Sequence, residues 1–311
     1  MIQYIEHKNI NKTKWDQCIS NSVNGIIYAY SWYLDIACEN KWDAIIENDY
    51  ERVFPLPFRK KLGVDYLYPP FFIQQLGIFS KTILTESITQ NLLNEIPAKF
   101  KFFEINLNTL NKFDSKQIQI KENLNHELDL ISPYDLLYSN YSENAKRNLK
   151  KSNKYNLVIK NNIDPEIIIS LFRKNRGQGI KNLNDKEYEI LGKIVKICTD
   201  KNMATTKGVY NENGEICGGA IFLQSNGKVI FLFSATNSEA KTNHSMTFLI
   251  DNFIKENAQR NLILDFEGSN DENLARFYKS FGSKECVYLQ IKKENLNWFY
   301  KNALKIRKYI K

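Results

Sequence analysis

The chain has 311 residues, of which 43% are hydrophobic and 25% are charged, a balance typical of a globular protein with one large or two medium domains. No run approaches the ~18 consecutive apolar residues of a membrane span, and the N-terminus has no apolar signal segment, so we expect a cytoplasmic protein. The net charge of +8 suits a polyanion such as RNA, a nucleotide phosphate or an acidic membrane, but it selects none of these.

The first part of the sequence predicts a sheet with flanking helices. Residues 14–22 and 30–39 have short amphipathic helical patterns, and residues 42–61 alternate in two runs about a polar turn, which indicates a hairpin. The next predicted elements are a helix over 85–97 and strands over 101–108, 117–121 and 126–131. We expect residues 1–132 to form a degenerate copy of the C-terminal half, although no residue-level repeat is visible.

Residues 133–155 have a long helical pattern with the basic residues at its C-terminal end, where the helix dipole favours cations. We expect one basic helix that connects two halves. Arg147 and Lys150 belong to its basic run and are candidates for binding a polyanion. A solvated helix end is the commoner meaning of such a run, and the sequence leaves both open.

The C-terminal half, residues 156–292, predicts a mostly antiparallel sheet with helices on both faces. The predicted order is strand 156–161, helices 164–175 and 185–200, strands 203–211, 215–225 and 228–236, helix 243–258, strand 261–267, helix 271–280 and strand 284–292. Residues 293–311 predict a basic helix bearing Trp and Tyr. That helix would contact an anionic membrane or RNA, or would pack its aromatic rings on the domain.

Two acids stand close together in the predicted strand 261–267. Alternate residues of a strand share a face, so Asp265 and Glu267 are expected to point the same way. Mutual repulsion and burial would raise the pKa of one of them, which makes it a candidate general base near neutral pH. The alternative is that one acid caps the following helix or pairs with Arg276. The sequence favours neither the catalytic nor the structural interpretation of the two acids.

The helix that follows carries a pattern found in a known family. "ARFYKSFGS" (275–283) resembles the GNAT motif in which a helix bears Ala, an aromatic residue, Tyr and then Gly. "SENAKRNLKKSNKYNLVI" (142–159) and "FSATNSEAKTNHSMTFLIDNFIKENA" (233–258) resemble the joint and the donor segment of FemAB-like proteins. Residues 31–61 resemble the N-terminal half of bacterial FemAB-like and BioF2-like acetyltransferases.

The resemblance implies an α+β protein with two GNAT-like halves, each a mostly antiparallel mixed sheet flanked by helices. It also implies an N-acyltransferase whose C-terminal half binds the donor, with Tyr278 protonating the leaving group and Glu267 or Asp265 acting as base. The expected donor is acyl-CoA, most simply acetyl-CoA, as a cosubstrate, with no tightly bound cofactor. The expected acceptor is a small-molecule or peptide amine, and DNA is not an expected partner.

The donor site implied by the resemblance lies at the start of helix 243–258. Backbone N–H groups of strand 228–236 near Ser234 would hold the oxyanion. Lys241, Thr242 and Ser245 would lie beside the donor phosphates, and His244 near the donor carbonyl. "KTNHSM" (241–246) lacks the glycines of the usual GNAT phosphate loop, which argues against conventional CoA binding. A surface or capping role is the alternative for His244.

Other glycine and aromatic signals are less specific. A glycine string with the phosphate-loop spacing occurs as "KNRGQG" (174–179), but it falls on the acceptor side, so we interpret it as a decoy for phosphate or a flexible acceptor loop. Tyr30 and Trp32 are candidates for lining an acceptor groove, and core packing is their alternative. The three histidines are scattered and make no metal set, and the five distant cysteines are expected to be reduced.

Tyr278 bears on the choice of donor. FemAB transferases that use aminoacyl-tRNA typically have Lys at this position, where a cation helps a ribose alkoxide to leave. A phenol can instead protonate a thiolate, because the pKa of a tyrosine is about 10 and that of a thiol about 8.5. Acyl-CoA is therefore the first choice. An aminoacyl-tRNA-dependent transferase acting on a peptidoglycan precursor is the second, and an inactive binding module for a nucleotide, RNA or protein is a third.

Overall fold

The computed structural model describes residues 1–180, 183–268 and 270–294. The chain divides into two compact units. Among the described residues, the first comprises Met1–Asn123 and Tyr288–Glu294, and the second comprises Leu124–Val287. The predicted divisions after residues 132 and 155 both fall inside the second unit.

The first unit is a mixed sheet with helices packed on it. Its strands are β1 (Ile2–Ile5), β2 (Trp42–Glu47), β3 (Arg52–Lys61), β4 (Val64–Leu67), β5 (Phe79–Ser80) and β6 (Phe100–Asn106), and its helices are α1 (Lys12–Asn21), α2 (Ser31–Ala37) and α3 (Glu86–Asn94). The strand order is β1-β2-β3-β4-β6, followed by the last strand, β13 (Lys284–Glu294), with β5 paired to β3. The pairing of β4 with β6 is parallel, and the other pairings are antiparallel.

Alternation of apolar residues builds the first unit. The predicted hairpin is confirmed: β2 and β3 pair antiparallel, with Ile45 opposite Phe54, and both side chains are fully buried. Leu92 and Leu93 of α3 join them in one apolar core, which buries the helix face against the sheet.

The second unit has the strand and helix order expected for the C-terminal half. Its strands are β7 (Gln119–Asp129), β8 (Val158–Asn161), β9 (Ala204–Tyr210), β10 (Ile216–Ser225), β11 (Lys228–Thr236) and β12 (Ile263–Asp265). Its helices are α4 (Tyr134–Ser139), α5 (Glu143–Ser152), α6 (Pro165–Lys174), α7 (Asp185–Asp200), α8 (Ala240–Asn243), α9 (Ser245–Asn257) and α10 (Glu272–Lys279). The strand order is β7-β12-β11-β10-β9-β8, antiparallel except for the parallel pair of β11 and β12.

The core of the second unit lies mainly where α9 and α10 pack on the central strands. Phe222 of β10 stacks on Phe253 of α9 with ring centroids 3.9 Å apart. Phe281, just after α10, is fully buried in the same cluster. This packing fixes the start of α9 and the face of α10 relative to β11.

Several predicted elements were wrong in detail. The single helix over 133–155 is two helices, because the chain leaves α4 at Asn140 and Ser142 caps α5 by accepting the N–H of Ala145 at 3.2 Å. The two strands over 117–121 and 126–131 are one strand, β7. Residues 293 and 294 of the predicted C-terminal helix belong to β13, and the rest of that prediction lies outside the described residues.

None of the helices in the described ranges is both long and apolar enough to cross a membrane.

Candidate active site

The sheet of the second unit opens between β11 and β12. Their parallel pairing joins Lys228–Ile230 to Ile263–Asp265 and stops there, whereas β11 continues to Thr236. Within the described chain, no strand pairs with the β12 side of β11 beyond Ile230. Backbone N–H and C=O groups on that side are therefore open to a ligand.

The end of β12 explains the opening. The carboxylate of Asp265 accepts the backbone N–H of Glu267 at 2.8 Å, and Glu267 adopts a positive φ of 51°, so the extended strand cannot continue. The chain then passes close to β7. A Cβ on Gly268 would lie 2.2 Å from the Cα of Asn125, so only glycine fits.

A bulge bends β11 at the same level. Phe222 of β10 faces Phe231, but Ile221 faces Phe233, so Leu232 is an extra residue on β11. Bulges of this kind bend the strand and increase its twist. The extra residue lies just beyond Ile230, where the pairing of β11 with β12 ends.

A cavity of about 430 Å³ occupies the opening. It is bordered by the second half of β11, the start of α9, and one face each of α5, α6 and α10. The lining residues are Asn148, Phe172, Arg176, Phe231, Ser234, Ala235, Thr236, Ala240, Lys241, His244, Met246, Thr247, Leu274, Phe277 and Tyr278. Both the predicted phenol and most of the predicted donor residues thus border one cavity.

Tyr278 combines a packed ring with a hydroxyl at the cavity. Its ring stacks on Phe266 with centroids 4.9 Å apart and contacts Phe231 edge-on at 6.3 Å. Burial, and then the nearby Glu267 carboxylate, raise the pKa of Tyr278 to about 12, while the charge of Arg176 acts in the opposite direction. Among the described residues, none forms a hydrogen bond to its hydroxyl. The phenol is therefore neutral at pH 7 and able to donate a proton to a ligand.

The two predicted acids are not equivalent. The prediction that Asp265 and Glu267 share a strand face is wrong, because β12 ends at Asp265. Asp265 is 1% exposed, and its carboxylate lies 3.2 Å from Nζ of Lys228 and accepts the side-chain N–H of Asn125 at 3.0 Å. This buried pair connects β11, β12 and β7, which is a structural role.

The carboxyl group of Glu267 has a different environment from that of Asp265. Its residue is partly exposed, but its Oε1 is enclosed, and burial raises the pKa of Glu267 to about 8. Its charge acts on the Tyr278 hydroxyl, so the two groups lie near each other. A carboxyl that ionises near pH 8 beside a phenol is suited to accept a proton.

The predicted donor residues divide between the cavity and its surroundings. Ser234, Lys241 and His244 line the cavity. Thr242 is exposed and Ser245 is fully buried, and neither borders the cavity. Burial, and then the charge of Lys151 on α5, lower the pKa of His244, which is therefore neutral at pH 7.

The predicted acceptor or polyanion residues do not border this cavity. Arg147 and Lys150 are exposed on α5, where the Arg147 guanidinium donates to Asn144 at 2.7 Å. Tyr30 and Trp32 belong to the first unit, with ring centroids 5.6 Å apart in a stacked pair. Tyr30 is 8% exposed, so most of its ring packs inside that unit.

Sequence reasoning missed Arg176, which lines the cavity beside Tyr278. It begins the short 3₁₀ helix Arg176–Gly179 within the string that we interpreted as a decoy. A Cβ on Gly177 would lie 2.8 Å from the hydroxyl of Tyr188 and 3.0 Å from Phe172. The first glycine of the string therefore allows this turn to pack closely, and the cation before it was the available signal.

Sequence reasoning also missed His126 of β7, which is fully buried with its ring 6.2 Å from that of Tyr278. Neither ring nitrogen has a hydrogen-bond partner among the described residues, and Nε2 lies 3.9 Å from Oε1 of Glu285. Burial lowers the pKa of His126. Its proximity to Tyr278 depends on the pairing of β7 with β12, which no local sequence signal reveals.

Comparison with solved structures shows the fold. The chain is similar to FemX, with a TM-score of 0.66 and 13% identity over 92% of this chain and 96% of that chain. It is similar to the C-terminal domain of a protein assigned as a lysylphosphatidylglycerol synthetase from Agrobacterium fabrum. The TM-score is 0.54, with 8% identity over 95% of this chain and 96% of that chain. It is also similar to L-PGS from Bacillus licheniformis, with a TM-score of 0.51 and 8% identity over 92% of this chain and 91% of that chain.

These similarities extend over nearly the whole chain and confirm the predicted fold class, mostly antiparallel sheets flanked by helices. No model of a protein family matches the sequence, and no curated protein matches it.

Proposed function

We propose that the second unit is an acyltransferase that moves an acyl group from a CoA thioester to an amine. One observation carries the proposal: Tyr278 and the part of β11 beyond its pairing with β12 border the same cavity. Acyl transfer needs hydrogen-bond donors for the oxyanion and an acid for the leaving group. The cavity provides both within one opening.

The charge of the cavity supports a CoA thioester as donor. The fully charged side chains among its described lining residues are Arg176 and Lys241, and no carboxylate is among them. This lining favours an anionic phosphate tail and a neutral acyl group. An aminoacyl group brings a positive ammonium next to the reacting carbonyl, and the charges of Arg176 and Lys241 disfavour it there; Glu267, which lies near Tyr278 but is not a lining residue, offsets them only when it is ionised.

The proposed reaction uses three groups of this chain. Glu267 accepts a proton from the acceptor amine, whose nitrogen then bonds to the thioester carbonyl carbon. Backbone N–H groups of β11 near Ser234 hold the oxyanion. When the C–S bond breaks, its electron pair stays on sulfur, which takes the proton of the Tyr278 hydroxyl. Solvent then returns a proton to Tyr278 and removes one from Glu267.

The donor phosphates are proposed to lie at the start of α9. Lys241 lines the cavity there, and the first N–H groups of a helix favour an anion. No glycine stands between Lys241 and Met246, so side chains limit how close a phosphate comes to the backbone. The Lys241 side chain then contributes more of the phosphate binding than it would beside a glycine loop.

An aminoacyl-tRNA-dependent transferase is the second candidate. It is favoured by similarity in fold to FemX and to a protein named for lysylphosphatidylglycerol synthesis. Tyr278 in place of the family's Lys and the absence of a carboxylate from the described cavity lining favour the thioester.

Ligand-dependent thermal unfolding separates the two candidates. A ligand that binds the native state at 100 times its Kd raises the free energy of unfolding by about 2.7 kcal/mol, which shifts Tm by several degrees. We expect such a shift with millimolar CoA or acetyl-CoA. No shift with either ligand, together with tight binding of a charged tRNA, would reverse the order of the two candidates.

A further inference from the structure

We infer that Arg176 is a catalytic residue that faces the donor sulfur and stabilises the departing thiolate. This inference rests on the proposed function and adds a group to it. In the family that the sequence resembles, a Lys typically occupies the position of Tyr278, on the helix after the acidic strand. Here the cavity has, besides Lys241, a cation on a different element, Arg176 of the 3₁₀ helix after α6.

The placement of Arg176 supports this role. Arg176 and Tyr278 border one cavity from opposite elements, α6 with its 3₁₀ extension and α10. The charge of Arg176 reaches the Tyr278 hydroxyl, since it opposes the rise in the pKa of that phenol. A ligand atom that accepts a hydrogen bond from Tyr278 therefore lies within the field of the guanidinium.

Arg176 is available for a ligand. It has no ion pair or hydrogen bond with any other residue that the structure describes. Arg173, one turn earlier, is instead paired with Asp185 and lies over the ring of Tyr188. Close packing of Gly177 against Phe172 and Tyr188 sets the turn that directs Arg176 to the cavity.

The Arg176 guanidinium would act on the negative charge that develops on the leaving sulfur. As the amine nitrogen bonds to the carbonyl carbon, the C–S bond breaks and negative charge develops on sulfur before the Tyr278 proton arrives. An opposite charge nearby stabilises that thiolate. Free CoA carries the same sulfur, so its ionisation on binding measures the effect without turnover.

Equilibrium binding of CoA and of desulfo-CoA at pH 7 and pH 9.5 tests the inference. An opposite charge close by lowers a pKa by one unit or more, and each unit makes the thiolate bind about tenfold tighter than the thiol. Because Arg176 is exposed, we take one unit, which makes CoA bind about sevenfold tighter at pH 9.5 than at pH 7. Desulfo-CoA, which has no thiol, lacks this gain.

The measurement with desulfo-CoA distinguishes ionisation of the CoA thiol from titration of other groups near the cavity. Tyr278, Lys241 and His244 line it, Glu267 lies near Tyr278, and Lys151 near His244. Glu267 ionises near pH 8, but its new negative charge weakens thiolate binding, which is the opposite sign. Apart from this opposing effect of Glu267, titration of these groups changes the binding of desulfo-CoA as well, so a gain in the ratio of the two affinities reports the sulfur.

The variants are Arg176→Gln and Arg176→Lys, with Arg173→Gln and Lys241→Gln as controls. We expect Arg176→Gln to abolish the sevenfold gain, Arg176→Lys to keep part of it, and Arg173→Gln to keep all of it. Lys241→Gln should weaken CoA and desulfo-CoA equally at both pH values, because it acts on the phosphates.

Two results would overturn the inference in distinguishable ways. If the wild type binds both ligands with the same pH dependence, or if Arg176→Gln keeps the gain, Arg176 does not face the sulfur, and the proposed function stands. If the wild type binds neither CoA nor desulfo-CoA at millimolar concentration, the thioester donor is wrong, and the role of Arg176 is wrong with it.

Discussion

Replacement of Tyr278 by Phe removes one hydroxyl from the cavity and keeps the ring. The stacking on Phe266 and the edge contact with Phe231 involve the ring alone, so the variant should retain the native packing. No hydrogen bond to another described residue is lost. We therefore expect the free energy of unfolding to change by less than about 1 kcal/mol.

The effect on the reaction should be much larger. A positioned general acid contributes about 10²–10⁴ in rate, so the loss of the Tyr278 proton should lower kcat at least ~100-fold, or about 2.7 kcal/mol in activation free energy. The defect should shrink with an aryl thioester, because a less basic thiolate needs less help to leave. KM for the donor should change little.

The assay is the release of free thiol from acetyl-CoA and from an aryl thioester, with Tm measured on the same samples. Tyr134→Phe is the matched control, since its hydroxyl donates to Asp251 at 2.8 Å outside the cavity. That variant should lose about 1–2 kcal/mol of stability and keep kcat. If Tyr278→Phe is folded and keeps kcat within twofold, Tyr278 is not the leaving-group acid.

Three further predictions concern neighbouring residues. Glu267→Gln should lower kcat. The wild-type rate should rise with pH through about 8 as the base ionises, and this rise should be absent from the variant. An unchanged pH–rate profile would show that Glu267 is not the base. Asp265→Asn leaves the half-buried Lys228 with Glu127 as its remaining charge partner and should cost about 1.5–3 kcal/mol in urea unfolding, whereas a cost below about 1 kcal/mol would show that the pair is not structural. Gly268→Ala should destabilise the protein by more than about 1 kcal/mol, because its Cβ would meet the Cα of Asn125 at 2.2 Å, and an unchanged Tm would contradict the close approach.

Local sequence patterns predicted most of the fold. Alternation gave the hairpin of β2 and β3, and apolar periodicity gave α3, α6, α7 and α10 close to their observed bounds. The break between α4 and α5 was missed although Ser142 is a good N-cap residue, because the helical pattern continues across it. Here the N-cap at Ser142 starts a new helix although the apolar pattern alone would continue the previous one.

The site was predictable only in part. Tyr278, Ser234 and Lys241 were implied by the resemblance to a known family, and all of them border the cavity. The separate environments of Asp265 and Glu267 depend on the positive φ of Glu267, which an alternation rule cannot foresee. Arg176 is about 100 residues from Tyr278 in the chain, and only packing brings their side chains to one cavity.

The most direct test of the account is a crystal structure of the chain with a non-reactive analogue of acetyl-CoA. We predict that the analogue's carbonyl oxygen lies within about 3 Å of a β11 N–H beyond Ile230, and that the atom in place of sulfur lies within hydrogen-bonding distance of the Tyr278 hydroxyl. An analogue bound outside this opening, or an opening closed by pairing of β11 with the chain after Asp265, would contradict the account.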